Sequence, residues 1–132
     1  MSAACVSRLR VRYAETDQMG VAWHGNFFAW FEVGRTDLLR GRGMTYRELE
    51  AADVRLPVLE ARASYHRPVR YDDVLEIRTS LASHTGARVA FAYEIRREGS
   101  DELLATGFTE HAAIDGRGRP RRLPAALRSL LE

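Results

Sequence analysis

Residues 14 to 26, AETDQMGVAWHGN, hold the types that could do chemistry: a carboxylate at Asp17, a bend at Gly20, an imidazole at His24, then Gly25 and Asn26. A long apolar segment follows directly. A carboxylate can act as a nucleophile or as a general base on water. The first turn of a helix offers backbone N–H groups that lack intrahelical partners and carry positive potential. Donors of that kind suit a developing oxyanion and are worth about 3 kcal/mol each in a transition state. The plain alternative is a turn ended by the Asp17 side chain, with His24 as a helix cap. Glu15 reads as a solvated charge at a strand end.

Something must aim these groups. SRLRVRY, residues 7 to 13, alternates, with Leu9, Val11 and Tyr13 on one side and Arg8, Arg10 and Arg12 on the other, which is the pattern of a half-buried strand. NFFAWFEVGRTDLLR, residues 26 to 40, has a helical period. Phe27, Trp30, Phe31, Gly34 and Leu38 line one face, widened by Phe28 and Val33, so the helix is expected to be enclosed. Gly34 weakens the helix and points to a close approach by a neighbour. Glu32 and Arg35 are spaced to interact along the helix, a structural role. Gly41 and Gly43 end it, and Thr45 with Glu48 makes a capping box for a short second helix.

Past Pro57 the chain turns to strands. VLEARASYHR carries one; VLEIRTSLAS and RVAFAYEIRR alternate; ELLATGFTEHAAI is a fourth. EGSD and DGRGRP are turns, and a last short helix follows Pro124. One strand, two helices and four strands imply an α+β fold, a single antiparallel sheet of five to six strands with a long apolar helix packed on it. The 132 residues suit one domain, residues 1–132. Exposed sheet edges need cover, and pairing with a second copy supplies it.

Composition narrows the function classes. The formal net charge is +2, which argues against a nucleic-acid binder, and all 20 basic residues are arginine. No apolar run is long enough to span a membrane, and MSAACVSRLR lacks the apolar core of a signal peptide. The single Cys5 cannot form an internal disulfide; a cytoplasmic location is expected. His24, His66, His84 and His111 follow no zinc spacing, so no metal is expected. There is no G-x-S-x-G nucleophile elbow.

The run VRYAETDQMGVAWHGNFFAWFEVGRTDLLR, with YHRPVRYDDVLEIRT after it, resembles the hot-dog-fold acyl-CoA thioesterases. The resemblance is to the 4-hydroxybenzoyl-CoA thioesterase branch, including the Tol-Pal-associated type, and covers nearly the whole chain. Its specific part is Tyr13, Glu15, Thr16, Asp17, Gly20, His24 and Asn26 leading into the helix. The resemblance implies that Asp17 is the catalytic carboxylate and that backbone N–H groups near His24 and Gly25 polarise the thioester carbonyl. It implies a homodimer or homotetramer, acyl-CoA held at the subunit interface, and no metal or organic cofactor. Asn26 or His24 is expected to give the substrate a further side-chain hydrogen bond, and Phe27, Phe28 and Trp30 or Phe31 are expected to line the acyl pocket. This aromatic bulk favours short, branched or aromatic acyl groups. Coenzyme A phosphates call for arginine; Arg67 and Arg88 are the candidates, with Arg117, Arg119, Arg121 and Arg122 behind them. Two other functions fit the same resemblance: a non-catalytic acyl-CoA sensor, and a hot-dog dehydratase or hydratase.

Overall fold

Alternating apolar residues become five antiparallel strands in the computed structural model, which describes residues 4–132. These are β1 (Cys5–Arg10), β2 (Val58–Tyr65), β3 (Val74–His84), β4 (Arg88–Arg97) and β5 (Leu103–Ala112). The helices are α1 (Asn26–Gly41), α2 (Tyr46–Ala51) and α3 (Ala125–Leu131). The sheet order is β1-β3-β4-β5-β2, so β1 and β2 form its edges. β3, β4 and β5 follow one another as hairpins. β2 precedes them in the chain but pairs at the far side with β5, Ala61 opposite Thr109 and Tyr65 opposite Ala105.

Helix α1 lies on one face of this sheet. Leu75, Ile77, Phe91, Tyr93 and Ile95 point up from the central strands; Phe27, Trp30, Phe31, Leu38 and Leu39 point down, and all are buried. Phe31 stacks on Tyr93 with ring centroids 4.4 Å apart. At Gly34 the helix comes so close to β3 that a Cβ would fall on Thr79 Oγ1 and lie 2.9 Å from Ile77 Cγ2. That is the close approach expected from a glycine in mid-helix.

Two expectations need correction. Tyr13 does not extend the first strand. The strand stops at Arg10, Val11 still pairs with Asp73, and Tyr13 begins a single 3-10 turn with its ring in solvent. Nor is α1 enclosed within one chain. Ala29, Glu32 and Val33 are exposed, because five strands cover only one side of a helix. Arg35, in contrast, is buried on the sheet side. The Thr45–Glu48 capping box is present, with Glu48 N–H donating to Thr45 Oγ1 at 3.1 Å. Among the described residues no helix is long and apolar enough to cross a membrane.

Candidate active site

Glu15 ties the loop between β1 and α1 to the helix. Its Oε1 accepts the Arg12 N–H at 2.8 Å, and its Oε2 accepts the Trp30 indole N–H at 3.0 Å. Its carbonyl accepts from Trp23 N–H at 2.8 Å and from the Asn26 side-chain amide at 2.6 Å. Glu15 is therefore buried, contrary to the expected solvated charge. Burial alone would raise its pKa. The Arg12 and Trp30 donors and the Arg12 guanidinium outweigh burial and hold it below the ordinary carboxylate value.

Beyond Glu15 the chain doubles back. Asp17 N–H donates to Val21 O at 3.0 Å, and Gly20 N–H donates to Asp17 O at 3.0 Å. Gly20 takes the left-handed φ of +80° that this bend requires. Asp17 Oδ1 accepts the Met19 N–H at 2.9 Å, so the turn-capping reading of Asp17 is true of that oxygen. No hydrogen bond among the described residues engages Oδ2. Ala22 N–H then donates to Val69 O at 2.7 Å, which sets the loop against the segment after β2.

Between loop and segment lies an open cavity of about 300 Å³, lined by Asp17, Ala22, His24, Phe27, Tyr65 and Arg67 among others. Asp17, His24, Phe27 and Arg67 are thus brought together as expected. At the helix start, the N–H groups of His24 and Gly25 have no main-chain acceptor among the described residues. A Cβ at Gly25 would fall on the ring of Trp23, which is half exposed and would have to swing aside. A half-buried carboxylate on the same cavity as His24, which begins the helix start with its unpaired donors, supplies the kinds of group that hydrolysis of an activated carbonyl requires.

Other expected residues stand elsewhere. Asn26 spends its amide on Glu15 O and does not line the cavity. Trp30 and Phe31 are in the core, and Phe28 lines a separate recess beside Arg35. Arg88 pairs with Glu110 at 3.5 Å and sits opposite Ala112. Tyr65 sits opposite Ala105, so Arg88 lies roughly 23 Å along the sheet from the cavity. Arg121 is further tied to Ala52 O and Asp53 O. The sequence reading did not single out Tyr65, whose hydroxyl donates to His24 O at 3.0 Å. Its only sequence signal was a place at a strand end before His66-Arg67-Pro68. Among the described residues no group of three or more His, Cys, Asp or Glu is arranged to hold a metal ion.

A five-stranded antiparallel sheet cradling one apolar helix, with a carboxylate loop at the helix start, defines a hot-dog-fold thioester hydrolase. The chain belongs to the thioesterase-like superfamily, whose family model matches residues 11–131. It is 32% identical over 120 residues to the acyl-CoA thioester hydrolase YbgC of Escherichia coli O157:H7, covering 90% of this chain and 89% of that one. A DHNA-CoA thioesterase from Staphylococcus aureus superposes with a TM-score of 0.87 at 34% identity, covering 91% of this chain and 80% of the other. A hypothetical protein from Thermus thermophilus superposes with a TM-score of 0.90 at 39% identity, covering 97% and 95%.

Proposed function

We propose that the chain hydrolyses acyl-CoA thioesters to a free acid and coenzyme A, as a member of the 4-hydroxybenzoyl-CoA thioesterase branch. The observation that carries this reading is Asp17, with an Oδ2 free of hydrogen bonds among the described residues, sharing a cavity with His24, where the helix-start N–H groups of His24 and of Gly25 next to it have no main-chain acceptor among the described residues. Asp17 takes a proton from water, and the resulting hydroxide adds to the thioester carbon. The carbonyl oxygen gains the electron pair and is held by the helix-start donors. The C–S bond then breaks and coenzyme A leaves as a thiolate that regains a proton. Direct attack by Asp17, through an anhydride that water opens, uses the same groups.

Exposure of the edge strand β2 supports a homo-oligomer, dimer or tetramer. Almost all of this edge strand is exposed, including Val58, Leu59 and Tyr65. Pairing with a second copy about a two-fold axis makes the two β2 strands antiparallel. The Val58 end of one copy then meets the Tyr65 end of the other. That brings the second copy's Arg88 and its 117–122 arginines toward this copy's cavity, where coenzyme A phosphates would lie. The cavity's lining by Phe27 and Tyr65 supports an aromatic, branched or short acyl group.

Release of free coenzyme A from an acyl-CoA panel, by wild type and Asp17→Ala side by side, tests this. Turnover that collapses in the variant is expected. Tight binding of acyl-CoA without turnover by either protein would point instead to a sensor, and preferred hydrolysis of palmitoyl-CoA would count against the acyl preference.

A further inference from the structure

Tyr65 ends the exposed edge strand, and about half of its surface is open to solvent, yet its hydroxyl is committed. It donates to the carbonyl of His24 at 3.0 Å. Its ring stands edge-on to Phe27, with centroids 4.9 Å apart, and to the His24 imidazole at 6.2 Å. The only other hydrogen bond to that carbonyl among the described residues is a long one, from Phe27 N–H at 3.3 Å.

The carbonyl of His24 and the N–H of Gly25 belong to one planar trans peptide, so they point in opposite directions. A bond that fixes the carbonyl also fixes the N–H. Donation to the carbonyl oxygen further polarises the peptide and makes its N–H a stronger donor, since hydrogen bonds in a chain reinforce one another. That N–H has no main-chain acceptor of its own among the described residues. Gly25 has no side chain to hold the plane, so beyond the long Phe27 bond the restraint comes from outside the helix.

We infer that Tyr65 is the positioning residue of one oxyanion donor, the Gly25 N–H: its hydroxyl sets and polarises the His24–Gly25 peptide from the sheet edge. The inference rests on the hydrolytic reading above. It also ties that edge to the site, because β2 ends on the residue that holds the peptide. Partial burial raises the Tyr65 pKa from its ordinary value, which favours the protonated, donating hydroxyl.

Tyr65→Phe keeps the ring contacts and removes only the hydroxyl; Tyr65→Ala removes both. The Phe variant should lose roughly tenfold in kcat, inside the hundredfold that a 1 Å misplacement can cost, with KM changed by less than about twofold. A second readout is the infrared stretch of a ¹³C-labelled thioester carbonyl bound to Asp17→Asn. Adding Tyr65→Phe should move that band to higher wavenumber, because the carbonyl is less polarised. Full kcat and an unmoved band in Tyr65→Phe, with loss only in Tyr65→Ala, would show a packing role and overturn the inference alone. A wild type without turnover on any acyl-CoA would sink the hydrolytic reading and this one with it.

Discussion

Glu15 Oε2 accepts the indole N–H of Trp30 at 3.0 Å, and this bond joins the Asp17 loop to the helix that supplies the oxyanion donors. Both partners are buried, so breaking it leaves a donor without water. Glu15→Ala should cost about 2–3 kcal/mol, the scale for a hydrogen bond to a charged group with its partner stranded. Urea unfolding monitored by circular dichroism reads this as a lower midpoint at unchanged slope. Glu15→Gln retains an acceptor for Trp30 and should lose less.

The acid limb of stability should have two stages. His111 is fully buried; its Nδ1–H donates to Leu56 O at 3.0 Å, and its Nε2 accepts from Thr109 Oγ1 at 2.8 Å. Burial lowers its pKa from 6.5 to about 4, with the Arg35 charge adding to the effect against the Leu56 bond. Below 6.5 the unfolded chain takes up the proton first, so stability falls with pH from 6.5 down to about 4. The full interval is worth about 3 kcal/mol. Glu15 acts lower: its folded pKa lies below 4.5, so its contribution is complete above 4.5 and is lost as pH falls through the folded value. Unfolding free energies from pH 7.5 to 3.5 should show His111→Gln flattening the upper stage and Glu15→Gln the lower. A single stage unaffected by His111→Gln would contradict the assignment.

The elements were readable because their patterns are local. Alternation in VLEIRTSLAS and RVAFAYEIRR gave β3 and β4, and a helical period gave α1. The place of β2 was not readable, since nothing in Val58–Tyr65 says that it crosses to the far edge instead of pairing with its neighbour β3. At the site, Asp17, His24, Phe27 and Arg67 could be picked by residue type. Glu15 and Tyr65 could not, because their roles depend on partners 15 and 41 residues away. Arg88 is a phosphate candidate by residue type alone, and only the register shows it at the other end of the sheet.

Asp17 has a turn role and a proposed chemical role, and two substitutions separate them. Asp17→Asn keeps an oxygen to accept the Met19 N–H, so the loop should hold and the thermal midpoint should stay within about 2 °C of wild type. It cannot act as a base, so kcat should fall by roughly 10²–10⁴. Asp17→Ala loses both the base and the cap. Equal activity in wild type and Asp17→Asn would leave Asp17 as a turn residue only.

Gly34 sets two energies against each other. Replacing a mid-helix glycine with alanine favours the helix by about 1 kcal/mol. Here the added methyl would fall on Thr79 Oγ1 and press on Ile77 Cγ2, in a buried layer with no slack. Overpacking of that kind costs about 1–3 kcal/mol, and lifting α1 from β3 would also disturb the Phe31–Tyr93 stack one turn away. Gly34→Ala should therefore destabilise by about 1–2 kcal/mol despite its better helix propensity. Thr79→Ala clears the nearer obstacle, so in the double variant the penalty of Gly34→Ala should shrink while the Ile77 contact remains. A double-mutant cycle in urea should give a coupling of about 1 kcal/mol. Additive effects would mean that the helix shifts freely over β3 and that Gly34 does not set their spacing.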